Sequence, residues 1–189
     1  MEKFKIGLAM CGSYCTYDKA FAAIEKLAEK YDITPIMSDT AIETDTRFGN
    51  VSDHVARLEK ITGKKVVSTI KDVEPLAPNG AFDLLVIAPC TGRTMAALNL
   101  GYADSAATMA AKGVLRNSKP VVIAFSTNDA LASSAPHIAG LLNRKNIYLV
   151  PFGQDDYEKK PFSMASDFTL IDKTIESALK GQQLQPILA

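Results

Sequence analysis

The sequence predicts an α/β protein: a doubly wound parallel sheet covered by helices on both faces. Three observations carry that expectation. Apolar, strand-like runs alternate with amphipathic helical segments along the chain. The most apolar run, Phe82-Asp83-Leu84-Leu85-Val86-Ile87-Ala88, shows no inside–outside alternation, as expected of a strand buried on both faces. Loops rich in glycine and hydroxyl residues follow the strand-like runs directly, which is where such sheets hold ligands.

The elements read off in order. Residues 4–9 form a short apolar strand, and residues 18–30 a helix with Tyr17, Phe21, Ile24, Ala28 and Tyr31 along one face. Residues 33–37 are the second strand. A polar loop over 38–50 leads into a helix in which Val51, Val55, Leu58 and Ile61 share a face and Gly63 supplies the stop. Val66 and Val67 begin a short extended piece, and residues 74–80 carry turn chemistry with two prolines and a glycine. After the strand at 82–88 come a small-residue region at 94–115, a strand at 121–125, a helix at 135–144 and a strand at 147–150. A last helix is expected over 165–179, with Phe168, Ile171, Ile175 and Leu179 on one face and Gly181 ending it. Five or six parallel strands result, and those at 4–9 and 82–88 are central because both are uninterruptedly apolar. This is flavodoxin-like order. No repeat, low-complexity tract or linker divides the chain, so residues 1–189 read as one domain.

Composition excludes several classes. Lys+Arg and Asp+Glu both number 21, so the formal net charge is zero and nothing suggests a nucleic-acid groove or a membrane surface. No window approaches the roughly 18 continuous apolar residues of a membrane span. The opening MEKFKIGLAM lacks the apolar length and cleavage site of a signal peptide, which predicts a cytoplasmic protein. Cys11, Cys15 and Cys90 are odd in number, and their C-x3-C spacing matches no common zinc or thioredoxin pattern. They read as free thiols near strand ends, with no metal site.

The strand ends hold the chemistry. The first loop, Met10-Cys11-Gly12-Ser13-Tyr14-Cys15-Thr16, leaves a strand and opens a helix. Gly12 lets backbone N–H groups approach an anion, Ser13 and Thr16 add hydroxyls, and the helix dipole favours negative charge. The alternative is that Ser13 or Thr16 only caps the helix. Gly7 and Gly12 have Walker A spacing, but Ser13-Tyr14 stands where Lys-Ser/Thr is required. No G-x-G-x-x-G exists, so a nicotinamide dinucleotide has no seat in this chain. The loop Ala88-Pro89-Cys90-Thr91-Gly92-Arg93-Thr94 follows the central strand and offers a second half of a phosphate cradle. Arg93 reads equally as a solvated surface charge.

The segment Pro89-Cys90-Thr91-Gly92-Arg93-Thr94, followed by Leu98, Gly101 and Asp104, resembles the P-x-S-A-N-T…G…D pattern of the homo-oligomeric flavin-containing cysteine decarboxylase and prenyltransferase family of flavoproteins. The Gly12-Ser13 loop resembles that family's first phosphate loop, and Ser38 stands where a hydroxyl after strand two often contacts FMN. The resemblance narrows to one branch, the B subunits of dipicolinate synthases. It does so on Ser13-x-Cys15-Thr16-Tyr17, Thr44-Asp45-Thr46-Arg47-Phe48-Gly49, Ser126-Thr127-Asn128-Asp129-Ala130-Leu131 and Asn146-Ile147-Tyr148-x-Val150-Pro151-Phe152-Gly153-Gln154-Asp155-Asp156. Lys159-Lys160-Pro161-x-Ser163-Met164 and Gly181-x-Gln183-Leu184-Gln185-Pro186 belong to the same likeness.

That resemblance implies FMN as cofactor, held by Gly12, Ser13, Ser38, Thr91, Gly92, Arg93, Thr94 and Ser126. It implies a part in the NAD(P)-dependent oxidation of a dihydrodipicolinate-type precursor to dipicolinic acid during sporulation, with NAD(P) carried by the dinucleotide-binding A subunit. A dicarboxylate calls for arginine clamps, and Arg47 and Arg93 are the candidates. Two departures stand out. Arg93 occupies the family's asparagine position, and no histidine precedes the central strand where the decarboxylases carry their catalytic one. His54 and His137 fall in predicted helices, in surface or capping roles. Decarboxylation is therefore disfavoured, and the chain is expected to be inactive alone. Other readings are a stand-alone FMN enzyme on a small carboxylic acid and a non-catalytic regulatory subunit. Self-association is also expected, because small residues over 101–111 let helices of neighbouring subunits approach.

Overall fold

The parallel strands β1 (Lys5–Met10), β2 (Asp32–Met37), β3 (Leu84–Cys90), β4 (Val121–Thr127) and β5 (Ile147–Leu149) lie in the order 2-1-3-4-5. The structure, a computed structural model, describes residues 3–76 and 79–188. As the unbroken apolar runs predict, β1 and β3 sit side by side in the middle, pairing Ile6 with Leu84 and Ala9 with Ile87. Strand order reverses between them, which opens a crevice at their carboxyl ends.

Alternate residues of each strand feed opposite cores. Leu8, Met10, Leu84, Val86, Val122 and Ala124 pack on one face with Tyr17, Phe21, Ile24 and Leu27 of α1 (Tyr17–Lys30), Leu58, and Ile171 and Ile175. Ala9, Leu85, Ile87, Val121, Ile123 and Phe125 pack on the other, against Met95, Leu98, Ala107, Ala110, Ala111, Val114, Ile138 and Leu141. Each fully buried aliphatic or aromatic side chain contributes roughly 1.5–3 kcal/mol.

The helices follow local chemistry. Between α1 and β3 lie α2 (Asp39–Glu43), α3 (Val51–Thr62) and α4 (Ile70–Val73). Gly63 closes α3 in the left-handed conformation expected of it. The region at 94–115 divides into α5 (Gly92–Leu100) and α6 (Ala106–Arg116). Gly101 ends the first, and a reciprocal Ser105–Thr108 capping box starts the second. Helix α7 (Ala135–Leu142) precedes β5.

The structure adds to or alters several of these expectations. The polar loop at 38–50 contains the short α2, begun by the Ser38 hydroxyl accepting from Ala41 N–H. In the predicted turn at 74–80, Ala77 and Pro78 lie outside the described residues. The last helix, α8, spans only Ile171–Ala178. The residues before it form a 3-10 turn (Phe168–Leu170) and the strand β7 (Met164–Ser166), which pairs antiparallel with both β6 (Phe152–Gln154) and the end of β4. The parallel part thus has five strands, within the expected five or six, and the antiparallel β6–β7 hairpin, which was not expected, brings the sheet to seven. Within the small-residue stretch at 101–111, Ala106, Ala107, Ala110 and Ala111 are buried against this chain's own sheet, while Gly101, Tyr102 and Asp104 are exposed.

Candidate functional site

The loop after β1 leaves the sheet where strand order reverses. Cys11 N–H donates to Pro89 O at 3.0 Å, tying the ends of β1 and β3 together. Ser13 adopts a left-handed conformation (φ 69°, ψ 44°), and its hydroxyl donates to Ser126 O at 2.7 Å, reaching across to the end of β4. Thr16 N–H and its hydroxyl both donate to Ser13 O. Neither Ser13 nor Thr16 caps the helix through its side chain, which disposes of the capping-only alternative. A 3-10 turn (Tyr14–Thr16) runs straight into α1. Among the described residues, the N–H groups of Gly12, Ser13, Tyr14 and Cys15 have no internal acceptor. Unpaired N–H groups at the head of a helix form an anion seat.

The second loop starts α5. Thr91 caps it by accepting from Thr94 N–H at 3.2 Å, and the two hydroxyls lie 3.0 Å apart. Behind them Asp129 accepts hydrogen bonds from the hydroxyls of Thr127, Ser133 and Ser134. Gly92 packs directly on this cluster: a Cβ there would lie 2.6 Å from Ser134 Oγ. The Arg93 side chain is 71% exposed and spans the crevice, 3.6 Å from Asp104 and 3.5 Å from the Thr40 hydroxyl.

Two cavities open here and share Thr91 and Arg93. One, of about 230 Å³, is lined by Gly12, Ser38, Thr91, Arg93 and Thr94 together with Asp39, Thr40 and Asp104. The other, of about 340 Å³, is lined by Ser13, Thr91, Gly92, Arg93 and Ser126 together with Cys15, Asn128 and Asp129. The fold thus gathers all eight candidate cofactor residues at one end of the sheet. Arg47 lines neither cavity; it is exposed, with its guanidinium 4.9 Å from the centre of the Phe48 ring. A larger cleft of about 740 Å³ lies between α1 and the β6–β7 hairpin, and it includes none of the glycine-loop residues. Among the described residues no cluster of histidine, cysteine or acidic side chains could hold a metal, and no helix is long and apolar enough to cross a membrane.

Sequence reasoning missed Asp129 as a site residue, although its run Ser126-Thr127-Asn128-Asp129 sits at a strand end. It also misplaced His54, which is 8% exposed rather than at the surface. Its ring packs against Tyr17 and Phe21, and burial pulls its pKa below the usual histidine value. His137 instead meets Asn99 at 3.3 Å.

The thiols divide by burial. Cys11 and Cys90 are buried and Cys15 is exposed. Burial pushes the Cys11 thiol up to about 11 and the Cys90 thiol well above its ordinary value. At pH 8 only about one Cys11 in a thousand is thiolate. Iodoacetamide at that pH should therefore add one carbamidomethyl group to the native protein, on Cys15, and three after denaturation. Intact mass and peptide mapping check this, and native alkylation of Cys11 would contradict its burial.

Doubly wound order, a glycine loop at the switch point and an anion seat facing a hydroxyl-lined crevice define a class of phosphate-cofactor-binding α/β proteins. The Flavoprotein family model matches residues 1–153, and the chain belongs to that family. Within it the chain is 44% identical to the B subunit of dipicolinate synthase from Bacillus subtilis (strain 168) over 185 residues, covering 97% of this chain and 92% of that one. The crystal structure of the corresponding B subunit from Bacillus halodurans superposes with a TM-score of 0.90 at 39% identity, covering 100% of this chain and 98% of that one. DmrB of Burkholderia xenovorans in complex with FMN shares the fold, with a TM-score of 0.65 at 19% identity, over 78% of this chain and 88% of that one.

Proposed function

We propose that this chain is the flavoprotein subunit of a cytoplasmic dipicolinate synthase, working with a dinucleotide-binding A subunit that carries NAD(P). The observation that carries this reading is 44% identity to the B subunit of a dipicolinate synthase across 97% of the chain. The absence of a dinucleotide fingerprint after β1 supports the division of labour.

The residues present fit FMN. The unpaired N–H groups of Gly12, Ser13, Tyr14 and Cys15 suit its phosphate, and the hydroxyls of Ser38, Thr91 and Thr94 suit its polar chain and ring edge. Bound there, FMN would supply two-electron redox chemistry. Arg93 stands between the two cavities, placed to take a substrate carboxylate in exchange for its contact with Asp104. Arg47 would approach from the exposed loop between α2 and α3. In the overall reaction the dihydro ring loses a hydride to NAD(P)+ and a proton to solvent, giving the aromatic diacid and NAD(P)H.

The test is an assay of purified chain with dihydrodipicolinate and NADP, with and without the Rossmann-type subunit. Turnover only in the mixture supports the reading; robust turnover by this chain alone sinks it. In the same mixture, Arg47→Ala and Arg93→Ala should each weaken dipicolinate binding by about 1.5–3 kcal/mol, the worth of a charge-assisted bond. Melting temperature should hardly move, because both side chains are exposed. Unchanged calorimetric affinity would remove the arginine concerned from the site.

A further inference from the structure

His54 is a titratable ring in a place that a plain apolar side chain would fill. It lies on α3, 8% exposed, and its Nε2 is shut off from solvent with no hydrogen-bond partner among the described residues. The ring meets Tyr17 edge-on, with centres 4.8 Å apart, and stacks on Phe21 at 5.9 Å, both residues on α1. Gly49 closes a further side: a Cβ there would lie 2.7 Å from Cε1 and 2.9 Å from Nε2. Gly49 ends the turn Thr46-Arg47-Phe48-Gly49, which two reciprocal backbone hydrogen bonds of 3.1 Å close on itself. Phe48 N–H donates to the Thr46 hydroxyl and Val51 N–H to Asp45. Among the described residues, the hydrogen bonds of residues 45–50 all stay within residues 45–54. The turn is therefore seated by packing, and the His54 ring lies directly beneath it. Its tip carries Arg47, whose guanidinium covers the exposed Phe48 ring.

The surroundings keep the ring neutral. Burial opposes its protonation most, and Arg57 on α3, itself paired with Glu25, adds to that. Asp53 on α3, Asp18 on α1 and Asp45 before the turn pull the other way and do not prevail. Tyr17 is neutral too, because burial raises its phenol, which donates to Cys11 O. An imidazolium in this place would bring an N–H donor without an acceptor. The penalty for charging the ring where it sits is absent above the usual histidine value of about 6.5 and grows as pH falls below it.

We propose that His54 is a proton-operated latch on this turn: the neutral ring holds Gly49 down, and the protonated ring leaves for water and lets the turn lift. His54 is a positioning residue and touches no ligand. Arg47 rides on the turn, so capture of a carboxylate would be strongest at neutral pH and fade in acid. That consequence rests on the reading of Arg47 as a substrate clamp, and the latch itself does not.

The chain contains no tryptophan and only two histidines, which makes the latch directly readable. Phe48→Trp places a single fluorescent reporter on the turn, and NMR follows the two imidazole signals, assigned with His137→Gln. The reporter should hold steady down to about pH 6.5 and then shift to longer wavelength, with falling anisotropy, where the His54 signal titrates. His54→Phe keeps a ring under Gly49 and removes the proton, so its reporter should stay constant over the same range. His137→Gln should leave the transition in place. A shift that persists in His54→Phe, or one that brings loss of far-UV circular dichroism, overturns the latch. So does a reporter that ignores the titration of His54, a comparison that decides the matter even if His54→Phe fails to fold. Calorimetric affinity for dipicolinate should fall several-fold more in wild type than in His54→Phe between about pH 7.5 and 5.5. A turn that lifts without that difference leaves the latch standing and takes Arg47 out of the site.

Discussion

Gly92→Ala is expected to cost about 1–3 kcal/mol of stability and to reduce FMN affinity by about tenfold or more. The added methyl group would meet Ser134 Oγ at 2.6 Å, Thr127 Oγ1 at 3.1 Å and Asp129 Oδ1 at 3.3 Å. None of these can retreat cheaply, since both hydroxyls are already bonded to Asp129 and Ser134 is buried. The first turn of α5 must move instead, taking Thr91 and Arg93 with it. Adding Ser134→Ala removes the nearest atom and should restore part of the stability. Thermal denaturation and flavin titration of the single and double variants check both statements, and wild-type affinity in Gly92→Ala would show that the packing is loose.

Phe125→Ala should be the most destabilising change, by about 3–5 kcal/mol, with a fall in melting temperature of roughly 10 °C. Phe125 is fully buried on β4, and its ring centre is 4.9 Å from that of Phe152 on β6. Its N–H donates to the Ser166 hydroxyl at 3.0 Å, so the same residue fixes β7. Truncation opens a cavity where the parallel sheet meets the hairpin. Chemical denaturation measures the loss; a cost below about 1 kcal/mol would mean that the hairpin collapses into the space.

The legible parts of the fold were those set by short-range pattern. β1 and β3 announce themselves because burial on both faces demands unbroken apolar residues, and the helices between them because one face must be apolar. The helix expected at 165–179 was a misreading with a physical cause. Phe168, Ile171 and Ile175 keep helical spacing, yet Phe168 lies in a 3-10 turn while still reaching the α1 face of the sheet. The hairpin escaped notice because each of its strands has three residues, too few for alternation, and its partner is the tail of β4. At the site, Gly12, Ser13, Thr91 and Thr94 could be found because a glycine or hydroxyl beside a helix start acts locally. The pairing of Asp129 with Gly92 could not, since it depends on how the turn after β4 folds back on α5. His54 was misplaced because of its residue type: it lies three residues after Val51 and four before Leu58, on the apolar face, and Gly49 leaves room there for its ring.

The Gln183 side chain imitates a strand. It accepts from Leu149 N–H and donates to Leu149 O, while Ile187 O takes the N–H of Phe152. At the opposite border, Val67 gives its N–H to Pro35 O and takes the N–H of Met37 on its own carbonyl. Pro35 itself has no N–H to offer. Both flanks of the sheet thus have polar backbone groups occupied from within the chain, which removes the template on which a foreign strand would grow. Accretion by strand addition, the usual route from an open sheet to insoluble fibrils, is hindered at both borders. Copies of this protein that meet at high concentration should do so through helices and loops, in contacts that end rather than propagate.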